Sequence, residues 1–205
     1  MLTIAIPIFE EPKLVEKAIE MNSEIFSKYP LVIVNKSGGD QFKLLQLGVK
    51  FFDQDSTWWD ARKFMLDYVK TKYVLCLDLD TILPPHYISS ALSILESRPE
   101  VACVALNYTE PCRQGHLAFG TSIWRLDVLK KLYDWNKGEG KPCECVYMWA
   151  KVKAEGMIVE TLPMEAIHLK EGEINLTKLP SKYQIPATEV IDGITVTHGR
   201  WKNDH

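Results

Sequence analysis

Short apolar runs rich in β-branched residues alternate along the chain with longer stretches whose apolar positions recur at helical spacing. Residues 3–8 read as a strand, and residues 12–22 follow with Leu14, Val15, Ala18, Ile19 and Met21 as a helical stripe. Residues 31–34 read as a second strand, stopped by Ser37-Gly38-Gly39, and residues 49–52 as a short third one. Residues 58–70 carry Ala61, Met65, Leu66 and Val69 at helical spacing. Residues 73–77 are almost wholly apolar, as expected of a strand buried on both faces. Pro84-Pro85 opens a predicted helix over 86–96, with proline in its first turn. Residues 101–106 are strand-like, 117–124 are a mixed segment compatible with a strand, and 126–132 read as a short helix. A further helix over 143–155 has Val146, Trp149 and Val152 on its apolar side and ends at Gly156. Residues 157–161 form the last clear strand, and beyond Lys170 the pattern weakens around Pro180, Pro186, Gly193 and Gly199.

Strands that alternate with helices predict a three-layer α/β/α fold with a mostly parallel central sheet. In such sheets ligands bind outside the carboxyl ends of the strands. That rule singles out residues 7–11, 35–40, 78–80 and the segment after Thr161.

Composition narrows the class. The chain has 205 residues, enough for one domain with or without a tail, and its 46% hydrophobic and 25% charged content is that of a globular protein. A net charge of -3 supplies no global basic field, which argues against nucleic acid as a partner. No run approaches the roughly 20 apolar residues of a transmembrane segment. The apolar start, Met1 to Phe9, lacks a basic leader and runs into Glu10-Glu11-Pro12, so it reads as a buried strand and not a signal peptide. The five cysteines, Cys76, Cys103, Cys112, Cys143 and Cys145, lack a framework spacing and point to reduced thiols and a cytoplasmic setting. Cys143 and Cys145 are separated by one residue, not two, and do not make a CxxC zinc motif.

The sharpest chemical feature is Val74-Leu75-Cys76-Leu77-Asp78-Leu79-Asp80, in which a buried strand delivers two carboxylates at its end. Alternation puts both on one side of the chain. Two anions there call for a cation, and magnesium-type ions take one or two carboxylates, waters and substrate phosphate oxygens. The plainer reading is a pair of turn or cap aspartates ahead of Pro84-Pro85. Asp-Leu-Asp-Thr-Ile-Leu also resembles the signature of haloacid dehalogenase-type phosphatases. That family, however, carries it on its first strand and follows it with a paired acidic motif, which is missing after Asp80.

Six segments in order resemble glycosyltransferases of the GT-A fold, family 2 type, over roughly residues 2–170. They are Thr3-Ile4-Ala5-Ile6-Pro7-Ile8-Phe9-Glu10-Glu11, the second strand through Asn35 to Asp40, Ala61-Arg62-Lys63, Asp78-Leu79-Asp80, Gly120-Thr121-Ser122 with Arg125, and Glu144 to Gly156. The resemblance implies a catalytic domain over 1–170; the tail over 171–205, with its weak period and its proline and glycine breaks directly after His168, is expected to fold over the donor as a lid. It implies sugar transfer, with inversion, from a UDP- or GDP-sugar to a glycan, lipid or protein acceptor, dependent on Mn2+ or Mg2+. Pro7, Phe9, Glu11, Asn35, Arg62, Asp78 and Asp80 would then bind the nucleotide sugar. Asp78, Asp80 and His168 would hold the metal, with His198, near Arg200, as a competitor for His168. Gly120 and Trp124 would lie on the acceptor side, Trp58 and Trp59 would line a sugar or base pocket, and Glu144 would be the general base. Each has a plainer alternative: a solvated helix arginine for Arg62, a hydrogen-bonded or surface histidine for His168, and a dipole-stabilised first-turn carboxylate for Glu144. Three departures stand out. Asn35-Lys36 replaces an Asp-Asp pair, Lys63 an asparagine, and Cys145 the second acid of a Glu-Asp pair. The last keeps open a binding protein that has lost catalysis on the same fold.

Overall fold

A computed structural model describes residues 1–8, 12–35, 50–52, 57–107, 118–135, 143–168 and 185–200. Seven strands form the central sheet: β1 (Leu2–Ile8), β2 (Leu31–Asn35), β3 (Lys50–Phe52), β4 (Tyr73–Leu77), β6 (Val101–Asn107), β7 (Thr121–Arg125) and β8 (Ile158–Glu165). Their order is β3-β2-β1-β4-β7-β6-β8. All neighbours are parallel except β7, which runs antiparallel to both β4 and β6. The sequence reading of a mostly parallel three-layer α/β/α sheet therefore holds, with one reversed strand in its middle.

Side-chain alternation builds a core on each face. On one face Ile4, Ile6, Ile33, Leu75 and Leu77 meet α1 (Pro12–Met21), the short α2 (Ser23–Phe26) and α4 (Tyr87–Ser97), through Ala18, Phe26, Ala91 and Leu95. On the other, Ala5, Val32, Val34, Val74, Cys76 and Trp124 meet α3 (Trp58–Tyr68), α5 (Leu126–Leu132) and α6 (Glu144–Ala154), through Ala61, Met65, Leu129, Met148 and Val152. Burial on both faces explains why β4 reads as an unbroken apolar run.

Two predicted details change. The prolines at 84 and 85 lie ahead of α4 and not in its first turn, because His86 takes the left-handed conformation (φ 64°) and the helix starts at Tyr87. Met21, part of the apolar stripe of α1, is 48% exposed.

Residues 169–184 and 201–205 of the tail lie outside the described set. Within it, β10 (Ile185–Ile191) and β11 (Ile194–Arg200) form an antiparallel hairpin. Asp192 and Gly193 link them, both at positive φ (46° and 81°), as a two-residue turn of the type that matches strand twist. The hairpin packs on α6: Ile191 joins Val146 and Ala150 in a small core, and Lys151 reaches Asp192 at 3.3 Å and Asp134 at 3.0 Å. A Cβ at Gly193 would meet no neighbour, so its requirement is conformational. Gly193→Ala is therefore expected to cost about 1 kcal/mol in chemical denaturation, and an unchanged midpoint would rule out the left-handed turn.

Candidate active site

The carboxyl end of β4 is the centre of the site. The β4–β7 register pairs Leu77 with Thr121, and one step further the Asp78 N–H donates to the Gly120 carbonyl at 2.9 Å. Asp78 thus faces Gly120 across the strand pair, on the side of the sheet that carries α3. Arg62 of α3 meets it there: its Nη2 donates to Asp78 Oδ1 at 2.5 Å. The same guanidinium lies 3.2 Å, through Nε, from Glu144 Oε1 at the start of α6, and 5.0 Å from the centre of the Phe119 ring. Tyr133, just after α5, donates its hydroxyl to Glu144 Oε1 at 2.6 Å.

This group is largely dry. The side chains of Arg62 and Glu144 are 6% and 5% exposed, against 32% for Asp78. Burial alone would pull the Arg62 guanidinium down, but Asp78 and then Glu144 hold it well above its ordinary range. Burial pushes the Glu144 carboxyl up to about 8, against the opposing pull of Arg62 and the Tyr133 hydroxyl. Burial also pushes the Tyr133 hydroxyl up, with the Glu144 charge adding to it, so the phenol stays a donor. The Cys76 thiol, buried in β4, is raised to about 12 by the same cause and is neutral.

Asp80 sits past the strand end. Its Oδ1 accepts from the Thr81 hydroxyl at 3.1 Å. Thr81 belongs to β5 (Thr81–Ile82), which pairs antiparallel with β9 (Ile167–His168), and the His168 backbone is the partner of Thr81. Distant chain segments thus converge beside Asp80. Asn22, wholly buried after α1, fixes this piece of chain: its amide donates to the Thr81 carbonyl at 2.9 Å and accepts from the Leu83 N–H at 3.2 Å.

Other predicted residues fall as follows. Pro7 is buried near the end of β1, and Asn35 is buried at the end of β2 opposite Ile8, so both stand at the carboxyl edge of the sheet. Phe9 and Glu11 lie outside the described residues. Trp59 packs edge-on against Trp135 with ring centres 5.8 Å apart. Trp124, expected on the acceptor side, is fully buried, with its ring tilted at 45° to that of Phe119 and its Nε1 donating to Ser122 Oγ at 2.6 Å. Cys145 is 9% exposed, and its sulfur accepts from the Phe119 N–H at 3.5 Å. Cys76, Cys103, Cys143 and Cys145 are free thiols, and Cys112 lies outside the described residues.

The sequence reading missed Tyr133 and Asn22. Tyr133 carried no motif, only a place after a short helix. Asn22 likewise carried no motif, only a place at the end of a helical pattern.

The family model of glycosyl transferase family 2 matches residues 3–150. The chain belongs to this family. The phosphatase reading of Asp78-Leu79-Asp80 falls with that match and with a motif at the end of the fourth strand. No curated protein sequence matches the chain. Solved structures share its GT-A fold. A mannosyltransferase from Pyrobaculum calidifontis, in complex with GDP-Man and Mn2+, superposes with a TM-score of 0.64 at 14% identity, over 83% of this chain and 58% of that one. TarS 1–349 from S. aureus, in complex with UDP-GlcNAc, gives 0.59 at 14% identity, over 88% and 62%. Glucosyl-3-phosphoglycerate synthase from Mycobacterium tuberculosis, in complex with phosphoglyceric acid, gives 0.64 at 12% identity, over 83% and 72%. The chain thus spans 58% and 62% of the first two. Among the described residues no helix is long and apolar enough to cross a membrane.

The burial of Glu144 has a consequence for stability. Its carboxyl is raised from an ordinary 4.5 to about 8, so the bound proton stabilises the fold fully below about pH 4.5, and this contribution is lost as pH rises through about 8. Relative to Glu144→Gln, which cannot ionise, the unmodified protein is expected to lose melting temperature steadily between those values. A constant difference across the range would mean that the carboxyl is hydrated.

Proposed function

We propose that the protein is a metal-dependent glycosyltransferase that uses a nucleoside diphosphate sugar as donor and proceeds with inversion. The observation that carries this reading is the cluster at the end of β4, where Asp78 and Asp80 leave the sheet beside Arg62, Glu144 and the His168 backbone. The neighbouring mannosyltransferase, with GDP-Man and Mn2+ in its complex, supports a donor and metal of this class.

Among the described residues no three His, Cys, Asp or Glu side chains form a ready-made cage for a metal. An open site with one or two carboxylates nonetheless fits Mg2+ or Mn2+, which keep waters and take the remaining oxygens from substrate phosphates. Asp80 is the first ligand in this reading, with Asp78 beside it and His168 as a further candidate. When bound, the metal neutralises charge on the departing diphosphate. Asn35 and Pro7 lie where a nucleotide would cross the strand ends. Arg62 is directed at Asp78 and Glu144, so it orders the carboxylates rather than reaching out to phosphate. Glu144 accepts the proton of the acceptor hydroxyl, and its raised value of about 8 makes it a stronger base than an exposed glutamate. UDP and GDP remain the two donor classes, with a glycan, lipid or protein as acceptor.

Two measurements test this reading. Nucleoside diphosphate affinity is expected to rise strongly with manganese or magnesium, and Asp80→Ala to abolish that dependence. Equal affinity in calorimetry with and without chelator would remove the metal. Glu144→Gln is expected to lower turnover at least ~100-fold with donor affinity nearly unchanged, and to remove the rise in rate toward pH 8. Normal turnover by that variant would make Glu144 a structural residue, and donor binding without any turnover by the unmodified protein would favour the binding-protein reading.

A further inference from the structure

Gly120 touches the site in a way that an acceptor-side assignment does not explain. A Cβ built on Gly120 would fall 1.8 Å from Asp78 Oδ2, 2.3 Å from Asp78 Cγ and 3.0 Å from Asp78 Oδ1. The Asp78 carboxylate therefore occupies the space that any side chain at 120 would fill. This follows from the register. Leu77 pairs with Thr121, and the Asp78 N–H reaches the Gly120 carbonyl at 2.9 Å, so the two residues oppose each other and their side-chain positions coincide on one face. From that seat Asp78 Oδ1 meets Arg62 Nη2 at 2.5 Å. The need for glycine is not conformational, because the backbone at 120 is not among those with positive φ.

We propose that Gly120 is a positioning residue of the donor site: it leaves the seat in which the Asp78 carboxylate lies against the backbone and is held by Arg62. Asp78 is thereby fixed against Arg62, and Asp80 follows it past the strand end, beside the Thr81 hydroxyl. Where the proposal speaks of donor binding it rests on the function proposed above. The seat itself does not depend on that function.

The test is a cycle of Gly120→Ala, Asp78→Ala and the double variant, read by melting temperature and by affinity for UDP and GDP with manganese and with chelator. Alanine at 120 expels the Asp78 side chain, which is 32% exposed, from its seat. Gly120→Ala alone is expected to lower the melting temperature and to weaken metal-dependent nucleotide binding at least ~tenfold, the scale on which a misplaced site group is felt. In the Asp78→Ala background the same change is expected to alter affinity less than ~twofold and to leave the melting temperature in place, because the two residues act as one unit. Equal losses in both backgrounds would overturn the proposal. Should Gly120→Ala fail to fold, recovery of folding in the double variant supports the seat and its failure overturns it. If the unmodified protein binds neither nucleotide, the donor reading fails, and the melting-temperature cycle alone decides whether Gly120 seats Asp78.

Discussion

The site depends on a guanidinium that has been taken out of water. Arg62 is 5% exposed, and a cation so buried is tolerated only where anions and hydrogen bonds replace its hydration. Asp78 and Glu144 supply the charge, and Phe119 covers the guanidinium with an aromatic face. The three charged residues come from α3, the end of β4 and the start of α6. One electrostatic requirement therefore locks together three elements that sequence keeps far apart. Removing one member of such a buried group costs on the order of 3–5 kcal/mol, because the others are left uncompensated. The arrangement is consequently a constraint on geometry more than a source of net stability.

The reversed strand makes that geometry possible. Between β4 and β6 a parallel strand would present its own carboxyl end to the site. β7 instead enters from it, so the residues that precede β7 lie beside Asp78. Phe119 and Gly120 occupy this place, one covering Arg62 and the other leaving room for Asp78. On the opposite side of the same strand end, Asn22 grips β5 from both directions and fixes the chain that follows Asp80. Asp78 and Asp80 are thus two residues apart but belong to different surroundings, one seated against buried charge and the other held by a hydroxyl in a turn.

Much of this fold was legible because its signals are local. Residues 73–77 and 126–132 were bounded as they fold, since an apolar run and a helical stripe are each set by nearby sequence. The Asp192-Gly193 hairpin was equally local and was passed over because proline and glycine nearby weakened the period, although an Asp-Gly pair between β-branched residues is a turn signal in its own right. What the sequence could not disclose was partnership at long range. Nothing near Arg62 says that its guanidinium faces Glu144, 82 positions later by the numbering of the two residues, rather than solvent. The setting of Trp124 was hidden for the same reason: nothing beside the glycine motif says that its ring is buried and that its N–H is met by Ser122. The family resemblance recovered the order of the site segments, but not which carboxylate each cation meets.

Cys145 can be understood from the same charge balance. The cluster sets one fixed cation against two carboxylates, one of which, Glu144, burial pushes up to about 8. Below that value the proton on Glu144 leaves Arg62 and Asp78 as a neutral pair, and above it the group carries one net negative charge. A second carboxylate at 145, in the buried position where the thiol now accepts from Phe119, would add another anion with no second buried cation among the described residues to meet it. A neutral side chain at 145 relieves that repulsion and leaves Glu144 as the only carboxylate at the head of α6. The departure from the family pattern and the retention of Glu144 are in this sense one adjustment: the cluster keeps the acid that Arg62 and Tyr133 both hold, and carries a thiol where a further anion would crowd it.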